Sequence, residues 1–175
     1  MIEPARPGRH REALHGFSLV ELAVAIAVIS ALLYFLLDRV LYMQEMAEKT
    51  EVEETIRSIN YGLRLEAASR LARGLETGRV PLEKENPVKW LQSPPRNYLG
   101  EYAKAPAGAR PGYWYFDSGD RQLIYGPKRG DRLIVEGIKR KELRFAIRAD
   151  GDATQPRLVP LVPYVWFEGR AGGNR

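Results

Sequence analysis

Hydrophobic positions along this chain follow three patterns, each predicting a different element. From Phe17 to Leu37 they are nearly continuous, interrupted by Ser18, Glu21 and Ser30. A run of about 20 apolar residues is the length a helix needs to cross a bilayer core. Further on the period changes. Val52, Ile56, Ile59, Leu63 and Ala67 recur every three or four residues, and Leu71 and Leu75 extend the same face. Glu53, Glu54, Arg57, Arg64 and Arg70 fall largely off that face, as expected of an amphipathic helix. Glu53 and Arg57 stand at i,i+4, an acid-then-base pair worth a few tenths of a kcal/mol. Gly62 is costly in a helix interior and marks a point where the helix can bend, while Gly74 and Gly78 mark its end.

The third pattern begins at Gly112. Tyr113 to Phe116 and Gln122 to Tyr125 flank the turn residues Asp117-Ser118-Gly119-Asp120 and read as a hairpin. Leu133 to Gly137 reads as a short strand. Glu142 to Arg148 alternates cleanly, with Leu143, Phe145 and Ile147 on one face. In Leu158 to Phe167, Pro160 and Pro163 restrict the stretch to an edge or irregular strand. Between helix and strands, Val80 to Pro111 carries Pro81, Pro87, Pro94, Pro95, Pro106 and Pro111 and reads as a loop region. Trp90 and Tyr98 are expected to pin it to the core, since aromatics bury large areas.

Together these patterns predict an α+β fold. A long N-terminal helix, half membrane-spanning and half amphipathic, packs on a small sheet of three to five antiparallel strands. The expected organisation is residues 1–16 as a leader, 17–37 as the span, 38–79 as the amphipathic helix, and 80–175 as the loop region and sheet.

Charge orients the span. Arg6, Arg9 and Arg11 precede it against Glu3 and Glu12, whereas Glu45, Glu48, Glu51, Glu53 and Glu54 follow. The basic flank is expected inside and the rest of the chain outside. An ordinary cleaved signal peptide fits less well. Its small-x-small site, Ala25-Ile26-Ala27, lies mid-run, and a cut there would leave Val28 to Leu37 as an apolar tail.

Glu21 then needs an explanation. A charge within hydrocarbon costs roughly 2.5–3.5 kcal/mol even on lenient insertion scales. The surrounding residues, Gly16-Phe17-Ser18-Leu19-Val20-Glu21-Leu22 and the apolar run behind them, resemble the N-terminal segment of type IV pilins and type II secretion pseudopilins. The resemblance covers Gly16 to about Leu37. It implies cleavage between Gly16 and Phe17 by a membrane prepilin peptidase, followed by N-methylation of Phe17. The new amine, with an intrinsic pKa of about 7.7–8.0, would be largely cationic. The resemblance further implies that Glu21 meets the Phe17 amine of a neighbouring subunit as helices bundle. Glu21 also lies within one turn of the helix start, where the macrodipole favours an anion by ~0.3–1 kcal/mol.

Two departures narrow the family. No Pro lies between Pro7 and Pro81, so the usual kink residue is missing, and the absence of Cys removes the C-terminal disulfide of many major pilins. Both point to a pseudopilin or minor pilin.

Rival chemistry is sparse. The two histidines, His10 and His15, both lie in the expected leader, so the processed chain would have neither His nor Cys. His-based acid–base catalysis and the commonest zinc ligands are thereby excluded from that chain. No nucleotide or hydrolase motif appears. No enzyme activity and no cofactor are expected. Asp117, Asp120, Asp150 and Asp152 are weak calcium candidates, because turn chemistry explains these Asp-Gly segments equally well.

The formal charge is +5, and loss of a leader with three Arg and two Glu leaves +4. Lys128, Arg129, Arg132, Lys139, Arg140 and Lys141 form a basic cluster. A solvated surface is the preferred reading, and nucleic acid is not an expected partner. The expected partners are other pilin or pseudopilin subunits, the prepilin peptidase and the inner membrane. The expected location is a single-pass inner-membrane protein with a cytoplasmic N-terminus and a periplasmic globular domain, then a pilus or pseudopilus. The alternatives are a bitopic anchored binding protein that does not polymerise and a DNA-uptake minor pilin.

Overall fold

The computed structural model describes residues 18–74, 79–106, 108, 110–137, 141–149 and 156–167. The processing positions Gly16 and Phe17, the calcium candidates Asp150 and Asp152, and Lys139 and Arg140 lie outside the described residues. The chain divides into two units, Met1–Leu41 and Tyr42–Arg175. One helix, α1 (Leu19–Ala72, 54 residues), contributes to both.

In the first unit α1 is nearly all apolar from Leu22 to Leu37, ahead of Asp38 and Arg39. Leu19, Tyr34 and Phe35 are 85%, 73% and 71% exposed, and Leu22 through Leu37 follow the same trend. The helix is long and apolar enough to cross a membrane once, and none of its apolar window is covered by the rest of the chain.

In the second unit the predicted stripe forms the helix side of the core. Val52, Ile59 and Leu63 are buried, with Ile56 and Ala67 partly buried against them. The stripe stops there. Leu71, expected to extend it, is 57% exposed. The helix ends at Ala72, just before Gly74. Gly74, at φ +69°, donates its N–H to the Leu71 carbonyl (3.0 Å), a left-handed termination that a residue with a Cβ would resist.

One expectation about the helix is corrected. Arg57 pairs with Glu54 (2.8 Å) rather than Glu53, which instead pairs with Lys49 (3.7 Å). Gly62 lies within the unbroken helix, and a Cβ there would collide with the Trp90 carbonyl oxygen. The residue permits close approach of another segment.

The approaching segment belongs to the region expected to be loop, which is more ordered than its prolines suggest. It contains a short helix α2 (Arg79–Lys84), a 3-10 turn (Pro87–Trp90) and strand β1 (Tyr98–Tyr102). Buried Asn86 organises it. Its Oδ1 accepts the Val88 N–H (3.0 Å), and its Nδ2 donates to the Tyr98 hydroxyl (2.6 Å) and Glu101 Oε1 (3.0 Å). Trp90 and Tyr98 pack against the core, as expected.

Six further strands follow: β2 (Tyr113–Asp117), β3 (Gln122–Gly126), β4 (Leu133–Val135), β5 (Leu143–Ala149), β6 (Pro156–Pro160) and β7 (Tyr164–Trp166). The main sheet has the order β1-β2-β3-β5-β6. It is antiparallel except for β1, which runs parallel to β2 with its register slipping between Tyr98 and Glu101. β2 and β3 form the predicted hairpin. Leu143, Phe145 and Ile147 share the core with Trp114, Phe116, Leu123, Tyr125 and Leu158. β6 is an edge strand bounded by Pro156 and Pro160, as its prolines demand. β4 and β7 pair only with each other, as a separate two-stranded ribbon.

Candidate functional site

Ser18 sets the start of α1. Its hydroxyl accepts the Val20 N–H (3.3 Å) and its carbonyl accepts the Leu22 N–H (3.0 Å), so it is the N-cap. Glu21 follows three residues later, in the first helical turn, and is exposed. Ser18-Leu19-Val20-Glu21 thus has the spacing of a capping box, in which a carboxylate supports the orphan amides at a helix start. The S-x-x-E spacing was visible in the sequence.

The second set of carboxylates was missed. Glu45 and Glu48 read as the acidic flank of the span, yet they are 0% and 6% exposed. Extending the apolar stripe back from Val52 by four and seven residues lands on both, so periodicity could have found them. Each accepts three hydrogen bonds. Glu45 Oε1 takes the Arg132 N–H (2.9 Å) and the Trp166 indole N–H (3.2 Å), and Oε2 takes the Arg132 guanidinium (3.0 Å). Glu48 Oε1 takes the Tyr125 hydroxyl (2.8 Å) and the Lys128 N–H (2.5 Å), and Oε2 takes the Arg129 N–H (3.1 Å).

These donors decide the electrostatics. Burial pushes the Glu45 carboxyl up, but the Arg132 amide, its guanidinium and the Trp166 indole together outweigh it and hold the group below the ordinary carboxylate value. Burial, and then the bond to Glu48, pushes the Tyr125 hydroxyl well above its ordinary range, so it stays a donor. A buried carboxylate persists only where its oxygens are satisfied in this way.

The clamp also engages part of the basic cluster. Lys128 and Arg129 lend their backbone amides to Glu48, and Arg132 lies on Glu45 and over the Tyr42 ring (5.1 Å). Arg129 pairs with Asp131 (3.6 Å), and Lys141 donates to the Gly130 carbonyl.

Of the described calcium candidates, Asp117 Oδ1 accepts the Gly119 and Asp120 amides (2.9 and 3.1 Å), which closes the hairpin turn. Among the described residues no three carboxylate or imidazole groups gather as a metal site. Comparison with family models, with characterised proteins and with solved structures finds no match for this chain.

Proposed function

We propose that this chain is a structural subunit of the pilin or pseudopilin type. A prepilin-type peptidase cuts it between Gly16 and Phe17, and its N-terminal helix carries it first in the inner membrane and then in a filament. The observation that carries this reading is the first unit of α1, an apolar surface exposed on all sides with one carboxylate in its first turn. Such a surface calls for lipid or for other apolar helices around it. In this reading the sheet domain lies outside the cytoplasm and Glu21 pairs with the Phe17 amine of an adjoining subunit.

The capping-box spacing favours one competitor, a single-pass anchored protein that never polymerises, because Ser18 and Glu21 then serve only their own helix. Two variants separate the readings. Gly16→Ala, followed by mass analysis of the N-terminus, is expected to abolish cutting and methylation; an uncut wild-type N-terminus refutes the subunit reading. Glu21→Ala is expected to be cut normally and to be absent from sheared filaments. Incorporation at the wild-type level removes the pairing role.

A further inference from the structure

We propose that the β4–β7 ribbon, with the 127–132 segment leading into it, is a strap that opens separately from the main sheet and is latched onto α1 by Glu45 and Glu48. This goes beyond the assembly reading and stands whether or not the chain polymerises.

The ribbon is built differently from the rest of the domain. It has two strands of three residues each, paired only with each other. A two-stranded ribbon alone is marginal in water. Its inward face contributes Leu133 and Trp166 to the core, while Ile134 and Val165 on its outward face are 52% and 48% exposed. By contrast, β3 lies between two hydrogen-bonded neighbours and its central residues Leu123, Ile124 and Tyr125 are all buried.

Much of what ties the strap to the helix is polar and converges on two side chains. Glu45 holds both strands, through Arg132 at the entry to β4 and Trp166 at the end of β7. Glu48 holds the approach segment through two consecutive amides. Phe167 adds an edge contact to Tyr42 (5.2 Å) and lies under Lys49 (5.9 Å). When Glu45 and Glu48 let go, the strap loses these bonds to the helix while the β1-β2-β3-β5-β6 ladder keeps its own pairing. Opening uncovers the side of α1 that carries Tyr42, Glu45 and Lys49, while Glu48 keeps its bond from Tyr125 on β3.

Amide hydrogen exchange on the full chain in detergent tests this, because exchange separates local from global opening. The amides of 133–136 and 164–167 are expected to exchange at least about ten-fold faster than the core amides of β2, β3 and β5. Glu45→Gln is expected to speed the ribbon amides by about a further ten-fold while leaving the three core strands unchanged. Equal protection in ribbon and main sheet, or a parallel acceleration of both by Glu45→Gln, overturns the proposal. The wild-type comparison alone decides the first point should the variant fold poorly.

Discussion

Replacing Gly62 by Ala sets two effects of opposite sign against each other. On helix propensity alone the change should stabilise the chain by about 1 kcal/mol, since Gly is the poorest ordinary residue in a helix interior. The surroundings oppose it. A Cβ at 62 would collide with the Trp90 carbonyl oxygen and stand 3.0 Å from the carbonyl carbon and 3.2 Å from the Trp90 Cβ. The obstacle is backbone, so no side-chain rotation relieves it. The 3-10 turn must move as a body, but Pro87 and Val88 are buried and Asn86 ties the turn's start to Tyr98 and Glu101. Overpacking of this kind costs about 1–3 kcal/mol, and the anchored turn puts it at the upper end. The net expectation is destabilisation by about 2 kcal/mol once the propensity gain is subtracted. Denaturant unfolding of the full chain in detergent, followed by tryptophan fluorescence, measures it. Ala68→Gly, at an exposed position of the same helix, is the calibrating control and should cost about 1 kcal/mol. A Gly62→Ala variant as stable as the parent, or more so, refutes the close-approach account.

Glu45 supplies a pH signature. Its folded pKa lies below the ordinary 4.5, so the unfolded chain takes up the proton first as pH falls. Its contribution is therefore full above the ordinary value and is lost as pH drops through the lowered folded one. Glu45→Gln should lower stability at neutral pH and flatten the stability-versus-pH curve below about 4.5; a curve of unchanged slope would remove Glu45 as the cause. Tyr125→Phe removes a hydrogen bond to a buried carboxylate and should cost about 1.5–3 kcal/mol. Urea midpoints would read this, and a loss under 0.5 kcal/mol would show that water replaces the hydroxyl.

Much of the fold was legible because apolar periodicity reports which residues face inward. The stripe from Val52 to Ala67, the β2–β3 hairpin and the edge character of β6 all follow from spacing and proline placement. The order within 80–111 was harder to see. Prolines there read as breakers, whereas Pro87 opens a 3-10 turn that Asn86 caps and Gly62 receives. That receptor site is a tertiary fact, since it joins residues far apart in sequence. Glu45 and Glu48 were hidden for the opposite reason: a charged residue after an apolar run is ordinarily a topology signal. Only their phase with Val52 sets them apart, and their donors, Tyr125 to Trp166, are distant in the chain. Glu21 is conspicuous as the one charge within an apolar run, and Ser18, which caps the helix three residues earlier, stands out only once its bonds to Val20 and Leu22 are seen.

The distance along the chain between the two carboxylates and their donors bears on how the protein is made. Glu48 waits for a partner 77 residues downstream, and Glu45 for one 121 residues downstream. A ribosome adding about 5–20 residues per second reaches Trp166 several seconds after Glu45 has emerged. Within that interval Glu48 gains its donors at Tyr125, Lys128 and Arg129 first, Glu45 then gains Arg132, and the Trp166 indole comes last. The carboxylate pair in the second unit is therefore fully satisfied only once β7 has been made. Truncation anywhere before β7 would leave Glu45 without the Trp166 indole, although its bonds from Arg132 could still form.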